Sequence, residues 1–348
     1  ASVAPMQTVF SPLHAGHRDH AEINSGAIVP AFEAPRRAEI VRARVAEVGL
    51  GPILPPDSHT LDAALRVHEP AYLDFLARAW DLWTAEGRAG PALPFVWPGP
   101  GLRADMPPSH VDGLLGFYSF DGGAAFVPGT WAAVRASHDV ALTAAALVSA
   151  GAPAAFALCR PPGHHAAPRA AGGYCYVNNA AVAAEWLRGQ GAGRVAILDV
   201  DYHHGNGTQA IFYARADVLV VNVHADPIHE YPYFLGHADE RGAGAGEGFN
   251  LNLPLPFGTG WEAWSAALDA GLAAVDAIGA DVLVVSLGLD TYHGDPISRF
   301  RLDTADFPRL GARLRRAGRP TLFVLEGGYA VEALGRNAVG VLTGFEGG

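Results

Sequence analysis

The 348 residues are 50% hydrophobic and only 17% charged, enough apolar material for the core of two ordinary domains or one large α/β domain. The formal net charge of −11 argues against nucleic acid as the main partner, because phosphate binding needs clustered Lys and Arg. It is compatible with a cationic substrate. The 42 glycines and 26 prolines are spread along the chain, which suits many tight strand–helix connections in a single domain better than disorder.

In chain order, the first segment to stand out is an excursion at about residues 83–129, rich in Pro and aromatics. So long a stretch without periodicity is functional or disordered, and its aromatics favour an ordered segment that packs on something. Residues 131–150 are Ala-rich, stop at Gly151-Ala-Pro, and predict a helix. An apolar run at 154–158 reads as a strand leading into Arg160-Pro-Pro-Gly. A helix at 178–190 follows, then strands at 195–200 and 218–223, a helix at 261–278, and strands at 282–287 and 321–325. These strands are continuously apolar without alternation, as in a parallel sheet buried on both faces, and the rhythm implies an open, doubly wound α/β sheet. Neither cysteine, Cys159 or Cys175, belongs to a CxxC motif, so both are expected to be free buried thiols in a reducing compartment. No apolar run reaches membrane-spanning length and the N-terminal residues lack signal-peptide order. A cytoplasmic protein without membrane contact is therefore expected.

Open α/β sheets carry their sites at the carboxyl ends of the strands, and there the polar residues cluster. The strand at 195–200 continues as Asp199-Val-Asp201-Tyr-His203-His-Gly-Asn206-Gly. Alternation in an extended segment would project Asp199, Asp201 and His203 to one side. A neighbouring strand ends Gly288-Leu-Asp290. Two carboxylates and one imidazole, with a position left open for water, fit a catalytic zinc, and iron or cobalt would accept the same set. Several acids at a buried strand end are costly unless a cation neutralises them. The stiff turn Arg160-Pro-Pro-Gly-His164-His165 holds two imidazoles in fixed directions, with Asp199 and Asn206 as candidate partners. Glu326-Gly-Gly-Tyr329 offers close backbone approach and a hydroxyl donor for an oxyanion.

Together with Gly173-Tyr-Cys-Tyr-Val-Asn-Asn179, these motifs stand in the order found in the histone deacetylase superfamily, and over nearly the whole chain the sequence resembles its bacterial acetylpolyamine amidohydrolases. The resemblance implies an arginase/deacetylase-like fold, an open and mainly parallel sheet with helices on both faces. It implies zinc, or Fe2+, on Asp201, His203 and Asp290, and a structural K+ or Na+ on Asp199, Asp201, Asn222 and the carbonyls of His203 and Val223. It gives His165 the role of general base and acid and His164, backed by Asp199, an electrostatic one. Asn206 becomes the partner of His165, and Tyr329 the group that polarises the scissile carbonyl. Gly173, Tyr174 and Tyr231 become the walls of an acyl tunnel, with hydroxyls where relatives commonly carry Phe.

The substrate implied is a small cationic acetylated amine, hydrolysed to free amine and acetate by a homodimer whose excursion shapes the tunnel and the dimer interface. An acidic residue of the excursion is expected to meet the ammonium. Gly123 falls at about that place, with Asp112 and Asp121 nearby. Two rival readings share the motifs. One is a deacylase of acetyl-lysine in proteins; the other is a catalytically inactive binder of acylated amines, which requires a lost ligand or a lost Tyr, and none is lost.

Overall fold

The computed structural model describes residues 5–347. Among the described residues there are ten strands: β1 (Gln7–Val9), β2 (Ala21–Asn24), β3 (Ala27–Pro30), β4 (Ile53–Leu54), β5 (Ala154–Ala157), β6 (Val195–Asp199), β7 (Val218–Ala225), β8 (Asn250–Leu255), β9 (Val282–Leu287) and β10 (Thr321–Leu325). Eight of them form one sheet in the order β4-β1-β5-β10-β9-β6-β7-β8, and every neighbouring pair is parallel. β2 and β3 make a separate antiparallel hairpin.

The continuously apolar strands divide their side chains by parity. Ile197, Val284, Val220 and Val324 face one core; Leu198, Val285, Val221 and Phe323 face the other. The first core is covered by α2 (Pro70–Ala85), α4 (Thr130–Ser149) and α5 (Asn179–Gly189), counting α1 as Pro35–Val48 and α3 as Val111–Phe117. α1, α7 (Trp261–Ala277), α8 (Asp306–Arg315) and α9 (Val331–Gly347) cover the second, and α6 is the short helix Asn206–Phe212. Helices on both faces are why these strands carry no polar alternation.

The excursion is ordered. α3 lies within it, Ala92 pairs with Phe126, and Leu115, Phe117, Tyr118 and Phe126 join the first core beside Tyr72 and Phe75 of α2. Its outer surface leaves Phe95 and Met106 largely exposed. Among the described residues, no helix is long and apolar enough to cross a membrane.

The sheet order does the assembling. β5, β10, β9 and β6 are consecutive neighbours, so the segments leaving their carboxyl ends, residues 158–165, 326–329, 288–290 and 199–206, meet at one edge of the fold.

Candidate active site

β6 ends at Asp199, and the segment beyond it is not extended as alternation suggested. The N–H of Asp201 donates to Asp199 Oδ1 (3.0 Å), and the N–H of His203 donates to Asp201 Oδ1 (2.9 Å). Each is a side-chain-to-backbone bend of the kind Asp favours. These two bends, not strand alternation, turn Asp201 and His203 towards Asp290. His203 Nδ1 lies 3.1 Å from Asp290 Oδ2 and 3.4 Å from Asp201 Oδ1. One ligand-type atom from each of Asp201, His203 and Asp290 falls within 4.8 Å of the others, and all three residues are buried.

Gly288 is required here, since a Cβ on it would come 2.1 Å from Asp201 Oδ2. That oxygen instead receives the N–H of Gly327 (2.9 Å), and Asp290 Oδ1 receives that of Tyr202 (2.9 Å). Burial, followed by the charge of Asp201, pushes the Asp290 carboxyl up to about 6. Two carboxylates crowded this way in a dry site are the condition that a bound cation relieves. The donor set of two oxygens and one imidazole nitrogen fits a divalent transition metal.

His164 and His165 sit beside this group with opposite electrostatics. His164 Nδ1 donates to Asp199 Oδ2 (2.8 Å). Burial works against its charged form, but the Asp199 and Asp201 carboxylates outweigh it and raise the imidazole to about 10. His165 Nδ1 donates to Asn206 Oδ1 (2.6 Å), which leaves Nε2 without its proton. Burial, then the charge of His164, hold His165 well below its ordinary value. One imidazole is thus charged and its neighbour neutral, a division set by a carboxylate in one case and an amide in the other.

The turn that carries both is clamped by Glu326, whose Oε2 receives the N–H groups of Gly163 (2.8 Å) and His164 (3.1 Å). Tyr329 follows two glycines later. Its N–H donates to Asp295 Oδ2 (2.7 Å), and the Arg37 guanidinium stands 4.7 Å from its ring centroid. Arg37 also donates to the carbonyls of Gly328 and Glu326 (2.6 Å each) and to Glu33 Oε1 (2.9 Å). Arg160 reaches the same Glu33 oxygen at 2.7 Å.

Of these groups, His165, His203 and Tyr329 line a cleft of about 510 Å³. Tyr174 meets Tyr329 edge-on at 5.6 Å, and Tyr231 meets His165 edge-on at 5.1 Å, so the two tyrosines stand as facing walls. Gly173 between them has φ of +51°, and a Cβ there would come 2.4 Å from His165 Cδ2. The two excursion carboxylates fare differently. Asp121 lines the cleft, but its Oδ2 receives the Tyr231 hydroxyl (2.6 Å) and the Gly173 N–H (3.0 Å), and its Oδ1 the Gly123 N–H (2.9 Å). Asp112 does not line the cleft of its own chain; Arg88 takes both of its oxygens. Asn222 pairs with Asp199 in register across β6 and β7, and its Oδ1 receives the Gly205 N–H (2.9 Å), while Val223 follows in β7.

Sequence reasoning missed Glu22, Glu33, Arg37 and Asp295. Glu22 lies in the β2–β3 hairpin, and the signal for it was present. Ser25 and Gly26 take φ of +50° and +79°, the two-residue turn that Asn24-Ser-Gly-Ala favours. A second buried group, His17, His20 and Glu33, also brings ligand-type atoms within 4.8 Å of one another. Glu33 there already faces two guanidiniums, so a further cation would meet their repulsion.

The chain matches the Histone deacetylase domain over residues 31–345. It is 55% identical to acetylpolyamine amidohydrolase 1 of Pseudomonas aeruginosa over 98% of this chain and 99% of that one. It is 45% identical to the acetylpolyamine amidohydrolase of Mycoplana ramosa, over 98% and 100% of the two chains. The crystal structure of acetylpolyamine aminohydrolase from Burkholderia pseudomallei superposes with a TM-score of 0.92 at 41% identity, covering 98% of both chains. The sheet, the arrangement of its helices and these likenesses are those of the arginase/deacetylase-like fold, and the chain belongs to the histone deacetylase family.

Proposed function

We propose that this protein hydrolyses the amide of small N-acetylated amines, acetylpolyamines or acetylated diamines, to the free amine and acetate. The observation that carries the reading is a cleft lined by His203 of the three clustered potential metal ligands, by a His165 whose Nδ1 is committed to Asn206, and by Tyr329. Asp201, His203 and Asp290 would hold zinc or Fe2+, which supplies a Lewis acid for the amide carbonyl and acidifies water.

The rest is done by the chain itself. His165 Nε2, kept neutral by burial and aligned through Asn206, accepts a proton from the attacking water and returns it to the leaving nitrogen. His164, held as an imidazolium by Asp199, adds fixed positive charge beside the developing oxyanion. Tyr329 donates a hydrogen bond to that oxygen, and the Tyr174 and Tyr231 walls hold the alkyl chain in line and exclude water. Asp121 acts through Tyr231 and Gly173, whose hydroxyl and N–H it fixes. A structural K+ or Na+ belongs to this reading, on Asp199, Asp201, Asn222 and the carbonyls of His203 and Val223. So does a homodimer joined through the excursion. Two free buried thiols, Cys159 and Cys175, suit a cytoplasmic setting.

The test is release of acetate and amine from acetylputrescine by zinc-loaded protein, lost on chelation and restored by zinc. Hydrolysis of an acetylated peptide with no action on acetylputrescine would overturn the reading in favour of a protein deacylase.

A further inference from the structure

Tyr202 stands between two of the candidate metal ligands, Asp201 and His203, and is fully buried. Its N–H donates to Asp290 Oδ1 (2.9 Å), and its ring meets those of His203 and Phe300 edge-on, each at 4.8 Å. A phenylalanine ring would satisfy that packing equally well. What the tyrosine adds is a hydroxyl, which donates to Glu230 Oε2 (2.6 Å).

Glu230 belongs to the segment that carries the Tyr231 wall. From Asp226 to Glu240 the chain forms neither helix nor strand, so no ladder of backbone bonds fixes its course and side-chain anchors have to. At the far end, Glu240 Oε2 receives Gln209 Nε2 (2.7 Å) and the Gly236 N–H (2.8 Å). At the near end, Glu230 Oε1 receives the Tyr231 N–H (2.9 Å). Tyr231 is therefore held twice, its backbone by Glu230 and its hydroxyl by Asp121. Bonds to a carboxylate are the stronger kind, and both Glu230 oxygens are committed to them.

We infer that Tyr202 and Glu230 are positioning residues, a brace that holds the Tyr231 wall in register with the candidate metal ligands. This rests on the deacetylase reading of the same site. The brace runs from Asp290 through the Tyr202 backbone, its hydroxyl and Glu230 to the Tyr231 N–H. Glu230 lines the cleft but acts through Tyr231 and not on the substrate. A wall that grips the alkyl chain alike in ground and transition states sets KM and not kcat.

The experiment measures acetylputrescine hydrolysis by zinc-loaded wild type, Tyr202→Phe, Tyr231→Ala and the double variant. Tyr202→Phe should raise KM by about tenfold, the size of a lost charge-assisted hydrogen bond, with kcat and zinc content unchanged. Added to Tyr231→Ala, it should raise KM by less than about twofold, because the ring it positions is gone. Glu230→Ala removes the other end of the same bond, and adding Tyr202→Phe to it should likewise change KM by less than about twofold. Hydrogen exchange supplies a readout independent of turnover: residues 226–236 should exchange about tenfold faster in Tyr202→Phe than in wild type, and residues 195–200 at an unchanged rate. An unchanged KM, a KM rise as large without the Tyr231 ring as with it, loss of zinc from Tyr202→Phe, or unaltered exchange at 226–236 would each overturn the brace. Inactivity of the zinc-loaded wild type on acetylputrescine would instead count against the proposed reaction, and the exchange comparison would still decide the brace.

Discussion

Tyr329 is fixed from three directions. Asp295 holds its N–H, Arg37 lies over its ring, and Tyr174 meets it edge-on. Burial pushes its phenol well above the ordinary value, so the hydroxyl stays protonated and can only donate to an oxyanion. Tyr329→Phe removes that donor and none of the candidate ligands Asp201, His203 and Asp290. Turnover should fall by ~10²-fold, the usual cost of one oxyanion donor, with metal content per chain unchanged. Turnover and metal analysis on the same preparation check this, and full activity would remove Tyr329 from the chemistry. At this scale the sequence was informative wherever the chemistry sits in one contiguous motif. Arg160 to His165, Asp199 to Asn206 and Glu326 to Tyr329 each leave a strand end, and topology alone brings them together. Glu33 and Arg37 had no such signal, because a Glu and an Arg four apart before and within a helix read equally well as a solvated pair.

The elements that carried a strong pattern were placed within one or two residues. The strands at 154, 195, 282 and 321 and the helices at 131, 178 and 261 all form where periodicity put them. β1 and β4 are three and two residues long, too short to carry a period. α1 is rich in Arg, and only its packing against α9 and the sheet reveals an inner face. The segment before α1 matters most to the site, because Glu33 joins Arg37 and Arg160 in a fully buried cluster that pins the Glu326–Tyr329 loop to the His164–His165 turn. Burial alone would raise the Glu33 carboxyl, but the two guanidiniums outweigh it and bring it to about 2. A carboxyl lowered on folding stabilises the fold above its unfolded value, near 4.3, and that contribution is lost as pH falls from there towards about 2. Glu33→Gln leaves two buried cations without their anion and should cost about 3–5 kcal/mol at neutral pH. Denaturant melts across the acid range should also show a shallower loss of stability in the variant than in wild type. A neutral-pH change below about 1 kcal/mol would mean the cluster is not a structural pin.

For the whole molecule, the excursion links core, tunnel and surface. Its inner side packs Leu115, Tyr118 and Phe126 into the first core and supplies Asp121 to the cleft. Its outer side exposes Phe95 at 71%, Leu102 at 62%, Met106 at 61% and Val96 at 45%. An exposed apolar group of this kind marks an association surface, and a second copy is the partner proposed for it. Burying Phe95 and Met106 in a dimer would contribute about 1.5–3 kcal/mol each. Phe95→Asp combined with Met106→Glu should therefore weaken the dimer by ~10²-fold or more and give a monomer at micromolar concentration by sedimentation or light scattering. A double variant that stays dimeric would move the interface elsewhere. A wild type that is monomeric at the same concentration would leave the outer face of the excursion without the role proposed for it.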